Sequence, residues 1–272
     1  MQRNGHLRRT IAVTSLAAAA AVGMVAAPTV AAGASTPPAP PVGGPPQGPQ
    51  GPQGPHGPQG PATAPGTGPS ASGSVLEQRL LHQLQLRSTQ LANLSKEVSA
   101  ATALTPGDQG ALEQKLATTT TSINGLLQSV PTDTRAQLRV AARTMVVQNR
   151  VFAVLTPQVY EVIASDTVAG QAAALASEEA ALQAQVTADQ GQVGYRNAVA
   201  YDGAFVRSVS AAQAGTARVS ATLLAQVPQD YPRDRGVFVR SNRQILGAAE
   251  ALARASYDKT LIALATNGYT GS

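Results

Sequence analysis

The chain has 272 residues, with 13% charged and 3% aromatic side chains, no Trp and no Cys. The missing Cys excludes disulfide scaffolds, thiolate metal sites and Cys nucleophiles, and three His in three separate segments (His6, His56, His82) argue against a His-built metal site or a Ser-His-Asp triad. The formal charge is +5, but Arg3, Arg8 and Arg9 stand at the very start; without them 17 basic residues oppose 15 acidic ones, a net of +2, too little for a nucleic-acid binder.

Residues 1–34 read as an export signal. Three Arg precede Ile11–Ala27, a stretch without charge, and Val30-Ala31-Ala32 and Ala32-Gly33-Ala34 offer small-residue cleavage patterns after Ala32 or Ala34. Arg8-Arg9 is a twin-arginine pair, but the flanking Thr10-Ile11-Ala12-Val13 fits that route poorly, which favours the general secretory route. The rival reading is a retained anchor. Its 17 residues are at the lower limit for a span, and Ala gains little in hydrocarbon. The expected location is secreted, extracellular or wall-associated, with no later membrane span.

Residues 35–73 hold 13 Pro and 10 Gly and cannot bury a core. Five Gly-X-Y triplets run from Gly48 to Ala62, the period of a collagen helix. Five are few for a triple helix, so a solvated polyproline II spacer is expected, reaching on the order of 120 Å if fully extended.

From Ser74 onward, as far as residue 272, the pattern is that of an all-α domain. Ser74-x-x-Glu77 has the form of a capping box. Leu80, Leu84, Leu91, Leu94 and Val98 then form a heptad stripe with one charged interruption at Arg87. Thr105-Pro106-Gly107-Asp108 restarts a helix, and Leu112, Leu116, Thr119, Ile123, Leu126 and Val130 repeat the spacing up to Pro131. The third helix begins near Asp133, with Leu138, Met145, Phe152 and Val159 seven apart. Pro157 either kinks it or, with Thr156 as cap, starts another helix, and the helical composition runs on to Gly191–Gly194. A fourth helix covers about 196–226, weakened by Gly203 and Gly215. A fifth covers about 234–265 after the Pro228–Pro232 loop. The expected fold is an elongated antiparallel, coiled-coil-like bundle of about five helices joined by short connections.

Several of these residues together resemble a group of exported actinobacterial helical-bundle proteins. They are Leu104-Thr105-Pro106-x-Asp108, Asp133-Thr134 with Leu138-Arg139, Arg150-Val151-Phe152, Leu155-x-Pro157-Gln158-Val159, Asp166 and Asp230-Tyr231-Pro232. The resemblance covers residues 102–260. It implies export and an all-helical bundle, and implies no activity.

Arg135, Arg139 and Arg143 fall at i, i+4 and i+8 on one helix face, with Arg150 two turns on. They are the candidate contact for an anion, a cell-wall polymer or another envelope protein, against the plainer reading of a solvated face. Arg233, Arg235, Arg240 and Arg243 form a second, looser cluster. Asp230 and Tyr231 are a candidate contact in the loop before the last helix. Adjacent carboxylates at Glu178-Glu179 diverge by about 100° on a helix and suit no acid–base pair. No phosphate loop, dinucleotide fingerprint, GxSxG or HExxH motif occurs. The reading is therefore an exported, non-enzymatic interaction or structural module, with no catalytic, metal or cofactor site and with self-association open. The alternative is a carrier of an apolar ligand, a lipid or porphyrin, walled by the aromatic later helices around Tyr160, Tyr195, Tyr201, Phe205, Phe238 and Tyr257.

Overall fold

The computed structural model describes residues 71–233 and 235–268. The leader and the Gly-X-Y run lie outside the described residues. Among those residues the chain is all-helical, with five long helices and no strand. Helix α1 spans Ala71–Ala100, α2 Pro106–Ser129, α3 Arg135–Arg143, α4 Thr156–Ala188, α5 Tyr195–Thr216, α6 Val219–Leu224 and α7 Arg235–Thr266. Helix α1 begins at Ala71, so Ser74 lies inside it and does not cap it.

Local capping signals account for the starts of α2 and α3. Thr105 is the N-cap of α2; its hydroxyl accepts the Asp108 N–H at 3.1 Å, and Pro106 occupies the first turn, where a missing donor costs nothing. Thr134 caps α3 in a reciprocal box. The Gln137 N–H donates to its hydroxyl at 3.4 Å, and the Thr134 N–H donates to Gln137 Oε1 at 2.8 Å. Pro157 falls in the first turn of α4, which continues the helical turn 151–155 directly, so the chain's break lies at Arg150 and not at Pro157. Thr156 does not cap that helix: its hydroxyl donates back to the Val151 carbonyl at 2.9 Å.

Between α3 and α4 the chain passes through two wide π-type turns, 144–149 and 151–155, separated by Arg150 at φ 29°. This break shifts the helical phase. Leu138, Met145 and Val159 are buried as the seven-residue spacing predicts, whereas Phe152 is turned outward and Val151, Val154 and Leu155 are buried in its place. Arg87, the charged interruption of the α1 stripe, is accommodated by the same shift. Its guanidinium lies 5.1 Å from the centre of the Phe152 ring and donates to Gln83 O and Oε1 at 2.9 and 3.0 Å. Burial pushes its pKa down.

The core falls into two clusters. The first joins α1, α2, α3, the π-type turns, the front half of α4, α6 and the front half of α7, around Leu84, Leu91, Leu94, Leu112, Ile123, Val159 and Leu223. The second joins Val186 at the end of α4, Ala198, Phe205 and Val209 of α5, and Ala255, Ile262 and Ala265 of α7. Helix α5 also reaches the first cluster at Ala212, while helices α4 and α7 run through both. Their far ends are tied by a Lys259–Glu178 ion pair and by Gln185 Nε2 donating to Thr266 Oγ1 at 2.9 Å. Helices α5 and α7 approach closely because small residues meet: a Cβ built on Gly215 would stand 2.9 Å from the Ala248 Cβ. Beyond Gly215 the predicted fourth helix breaks at Ala217–Arg218 and resumes as α6.

Candidate functional site

Three groups of polar residues stand out, and each grows from a helix joint. The first is at Asp166, in the body of α4 and 7% exposed. One carboxylate oxygen accepts the Thr105 N–H at 3.1 Å and the other accepts the Ser220 hydroxyl at 2.7 Å. A single buried anion therefore stitches the start of α2 and the start of α6 to α4, with both oxygens satisfied. Asp108 stands beside it. Burial, and next the neighbouring Asp166 carboxylate, push the Asp108 carboxyl above its usual range, against the lowering effect of the Thr105 hydroxyl. These residues, with Ala169, Gln213, Thr216 and Ala221, line a cleft of about 330 Å³. The two carboxylates are held near one another, but Asp166 is fully engaged in holding helices.

Nearby, Gln158 is buried at 1% exposure and its Nε2 donates to the carbonyls of Leu223 and Gln226. Lys115 Nζ reaches the Gln226 carbonyl at 3.2 Å. Both supply donors to the orphan carbonyls at the end of α6, which explains why a six-residue helix stays in place.

The second group joins two residues that the sequence placed in separate candidate sites. The Arg150 guanidinium lies 5.1 Å from the centre of the Tyr231 ring, and Asp230 is held by Arg233 at 2.8 Å. Arg150 is half-buried, sits in the left-handed region between the two π-type turns, and leaves the face of the other three arginines. The expectation that it continues their row is corrected by this break. Asp230 and Tyr231 act here as the clasp of a helix-connecting turn.

The third group is the arginine face itself. Arg135, Arg139 and Arg143 are all exposed on α3, and none has an ion-pair partner among the described residues. Val140 and Val146 are exposed on the same segment. Arg143 lies in the last turn, where the helix dipole favours a cation. Of the adjacent carboxylates on α4, Glu178 is engaged by Lys259.

One further titratable group has no counterpart in the sequence reading. Glu161 of α4 has a buried, unpartnered Oε2, and burial raises its pKa to about 7. A carboxyl that folds with a raised pKa binds its proton more tightly in the native state. Its contribution to stability is complete below pH about 4.5, is lost as pH rises through about 7, and is constant above. With the carboxyl only half-buried and partly screened by solvent, Glu161→Gln should therefore stabilise the protein by about 1–2 kcal/mol near pH 8 and by almost nothing near pH 4. Paired denaturant titrations at the two pH values measure the difference; an equal effect at both would show that Glu161 is not protonated on folding.

Among the described residues no group of His, Asp and Glu could hold a metal ion, and no helix is long and apolar enough to cross a membrane. Compared with known proteins, the chain matches no family model, no curated protein and no solved structure.

Proposed function

We propose that the chain is an exported, non-enzymatic helical module that binds an anionic polymer of the cell envelope through the arginine face of α3. The observation that carries this reading is the set of three exposed, unpaired guanidinium groups on one face of a nine-residue capped helix. Arginines that only solubilise a surface are usually interspersed with acids, and Arg135, Arg139 and Arg143 have no acid within ion-pair reach among the described residues. A guanidinium row at one-turn spacing suits repeating carboxylates or phosphates. The charge-poor leader and the Pro/Gly run ahead of the bundle are consistent with a chain that leaves the cytoplasm and crosses a wall on a spacer. The carrier reading has less behind it. Phe205 is fully buried in the second core cluster, Tyr195 and Tyr201 pack against that cluster, and Tyr257 is exposed.

Co-sedimentation of the purified full chain with isolated cell walls tests the proposal. Binding at low salt should be reversed by about 0.5 M salt. Replacing Arg135, Arg139 and Arg143 together by Gln should weaken it about 10- to 100-fold, with the melting temperature unchanged, if each contact is worth roughly 0.5–1 kcal/mol. Absence of binding by the parent chain, or equal binding by the triple variant, would remove the arginine face from the function. N-terminal sequencing of the protein recovered from the medium tests export, with a start at Gly33 or Ser35 expected.

A further inference from the structure

Helix α7 carries two heptad stripes. The inward one, which includes Phe238, Ile245, Leu252, Ala255 and Ile262, is buried in the bundle. The outward one lies well round the helix from it and has no partner among the described residues. Val239, Leu246, Tyr257 and Leu264 are 48%, 54%, 64% and 42% exposed, and Ala253 lies exposed between them. The stripe keeps the alternating four- and three-residue spacing of a coiled-coil seam throughout, with Arg243, Glu250 and Thr260 at the remaining positions. It spans 26 residues, or roughly 38 Å of helix. Single exposed apolar residues are unremarkable on a surface, but a continuous in-phase row on one helix is a packing face.

The row is palindromic. The intervals between its four large apolar residues are 7, 11 and 7, symmetric about the point between Ala251 and Leu252. We infer that this face binds a second copy of the same chain, with the two α7 helices antiparallel about a two-fold axis at that point. In this register Val239 meets the partner's Leu264, and Leu246 meets the partner's Tyr257. Arg243 meets the partner's Thr260, and Glu250 meets the partner's Ala253. Every large apolar residue on the face finds an apolar residue opposite, and no like charges meet along the seam.

Charge selects the orientation. Glu250 and Arg254 are an exposed pair on α7 at 3.7 Å. Antiparallel pairing sets Glu250 one position from the partner's Arg254, on both sides of the axis, which closes a symmetric four-charge cluster at the centre. Parallel pairing in register would set Arg243 on Arg243 and Glu250 on Glu250, both repulsive. A self-complementary patch of this kind is what a two-fold interface requires. Only five apolar residues per copy contribute, so the expected dimer is weak, with a dissociation constant on the order of ten micromolar.

The test uses the full chain in sedimentation equilibrium from about 1 to 300 µM. A concentration-dependent monomer–dimer equilibrium is expected, and Leu246→Glu combined with Tyr257→Glu should weaken it at least 30-fold. Both positions are exposed, so helical circular dichroism and the melting temperature should not change. The absence of Cys in the chain allows a clean orientation test. A mixture of Leu246→Cys and Tyr257→Cys chains should form a disulfide-linked dimer on oxidation, while neither variant should cross-link with itself. Three outcomes would each overturn the inference: a monomer throughout the range, self-cross-linking of Leu246→Cys, or association that persists in the double Glu variant. A trimer mass in that variant would point to the Gly-X-Y triplets as the assembling segment.

Discussion

Leu91→Asp is expected to abolish cooperative folding of the first core cluster. Leu91 is 1% exposed, in the middle of the α1 stripe, with Leu84, Leu94 and Val98 fully buried on either side. Truncating such a Leu to Ala costs about 2–5 kcal/mol. An aspartate at the same point must in addition ionise without a partner or fold in its protonated form, and either adds several kcal/mol. The sum approaches the whole stability of an ordinary domain, about 5–15 kcal/mol. The first cluster is also where α1, α2, α3 and α6 meet α4, so there is no second seam on which α1 can fall back. Circular dichroism should show loss of much of the helical signal and of a sharp melting transition. Hydrogen exchange should show the amides of α1 and α2 unprotected. Leu86→Asp is the control: it makes the same chemical change five residues away on the exposed face of α1 and should stay within about 0.5 kcal/mol of the parent. If Leu91→Asp melts within about 3 °C of the parent, the α1 stripe is not a core seam.

The stripes of α1 and α2 could be read from spacing alone because in each a single period survives from end to end. The joints could not, because they depend on contacts distant in sequence. Phe152 sits in phase with Leu138, Met145 and Val159 only if the helix is continuous, and Arg150 at φ 29° resets that phase. The same break moves Arg150 off the arginine row and onto Tyr231, which no helical arithmetic includes. Asp166 did leave a trace: it is seven residues after Val159, on a buried phase, and an acid on a buried phase needs donors. Which donors serve it, the Thr105 N–H and the Ser220 hydroxyl, follows only from the way α2 and α6 dock against α4. The arginine row of α3 was legible because it is a local pattern within one short helix. The outward stripe of α7 was hidden because its inward stripe, equally regular, accounted for the same segment.

Gly194→Ala should cost about 3–4 kcal/mol, and comparison with Gly191→Ala separates the two sources of that cost. Both glycines lie in the α4–α5 connection with positive φ, 87° at Gly191 and 97° at Gly194. An L-residue in that region costs roughly 1–2 kcal/mol. Around Gly191 a Cβ would meet nothing within 4 Å, so that conformational cost is all that Gly191→Ala should show. At Gly194 a Cβ would stand 2.4 Å from the Ala265 carbonyl oxygen and 3.3 Å from its carbonyl carbon. The obstacle is backbone, not a flexible side chain. Ala265 is itself 2% exposed, and its oxygen accepts the Gly268 N–H at 3.1 Å as α7 ends. Relieving the clash means moving the end of α7 or the start of α5, where the Gly194 carbonyl accepts the Ala198 N–H at 2.9 Å, and either motion opens the second core cluster at Ala198, Ile262 and Ala265. That repacking adds about 1–3 kcal/mol. Denaturant melts of the two variants should therefore differ by at least about 1 kcal/mol, with the larger loss at Gly194 and with exchange protection reduced at the end of α7 only in Gly194→Ala. Equal losses would mean that the close approach of Gly194 to Ala265 does not hold the far ends of α4, α5 and α7 together.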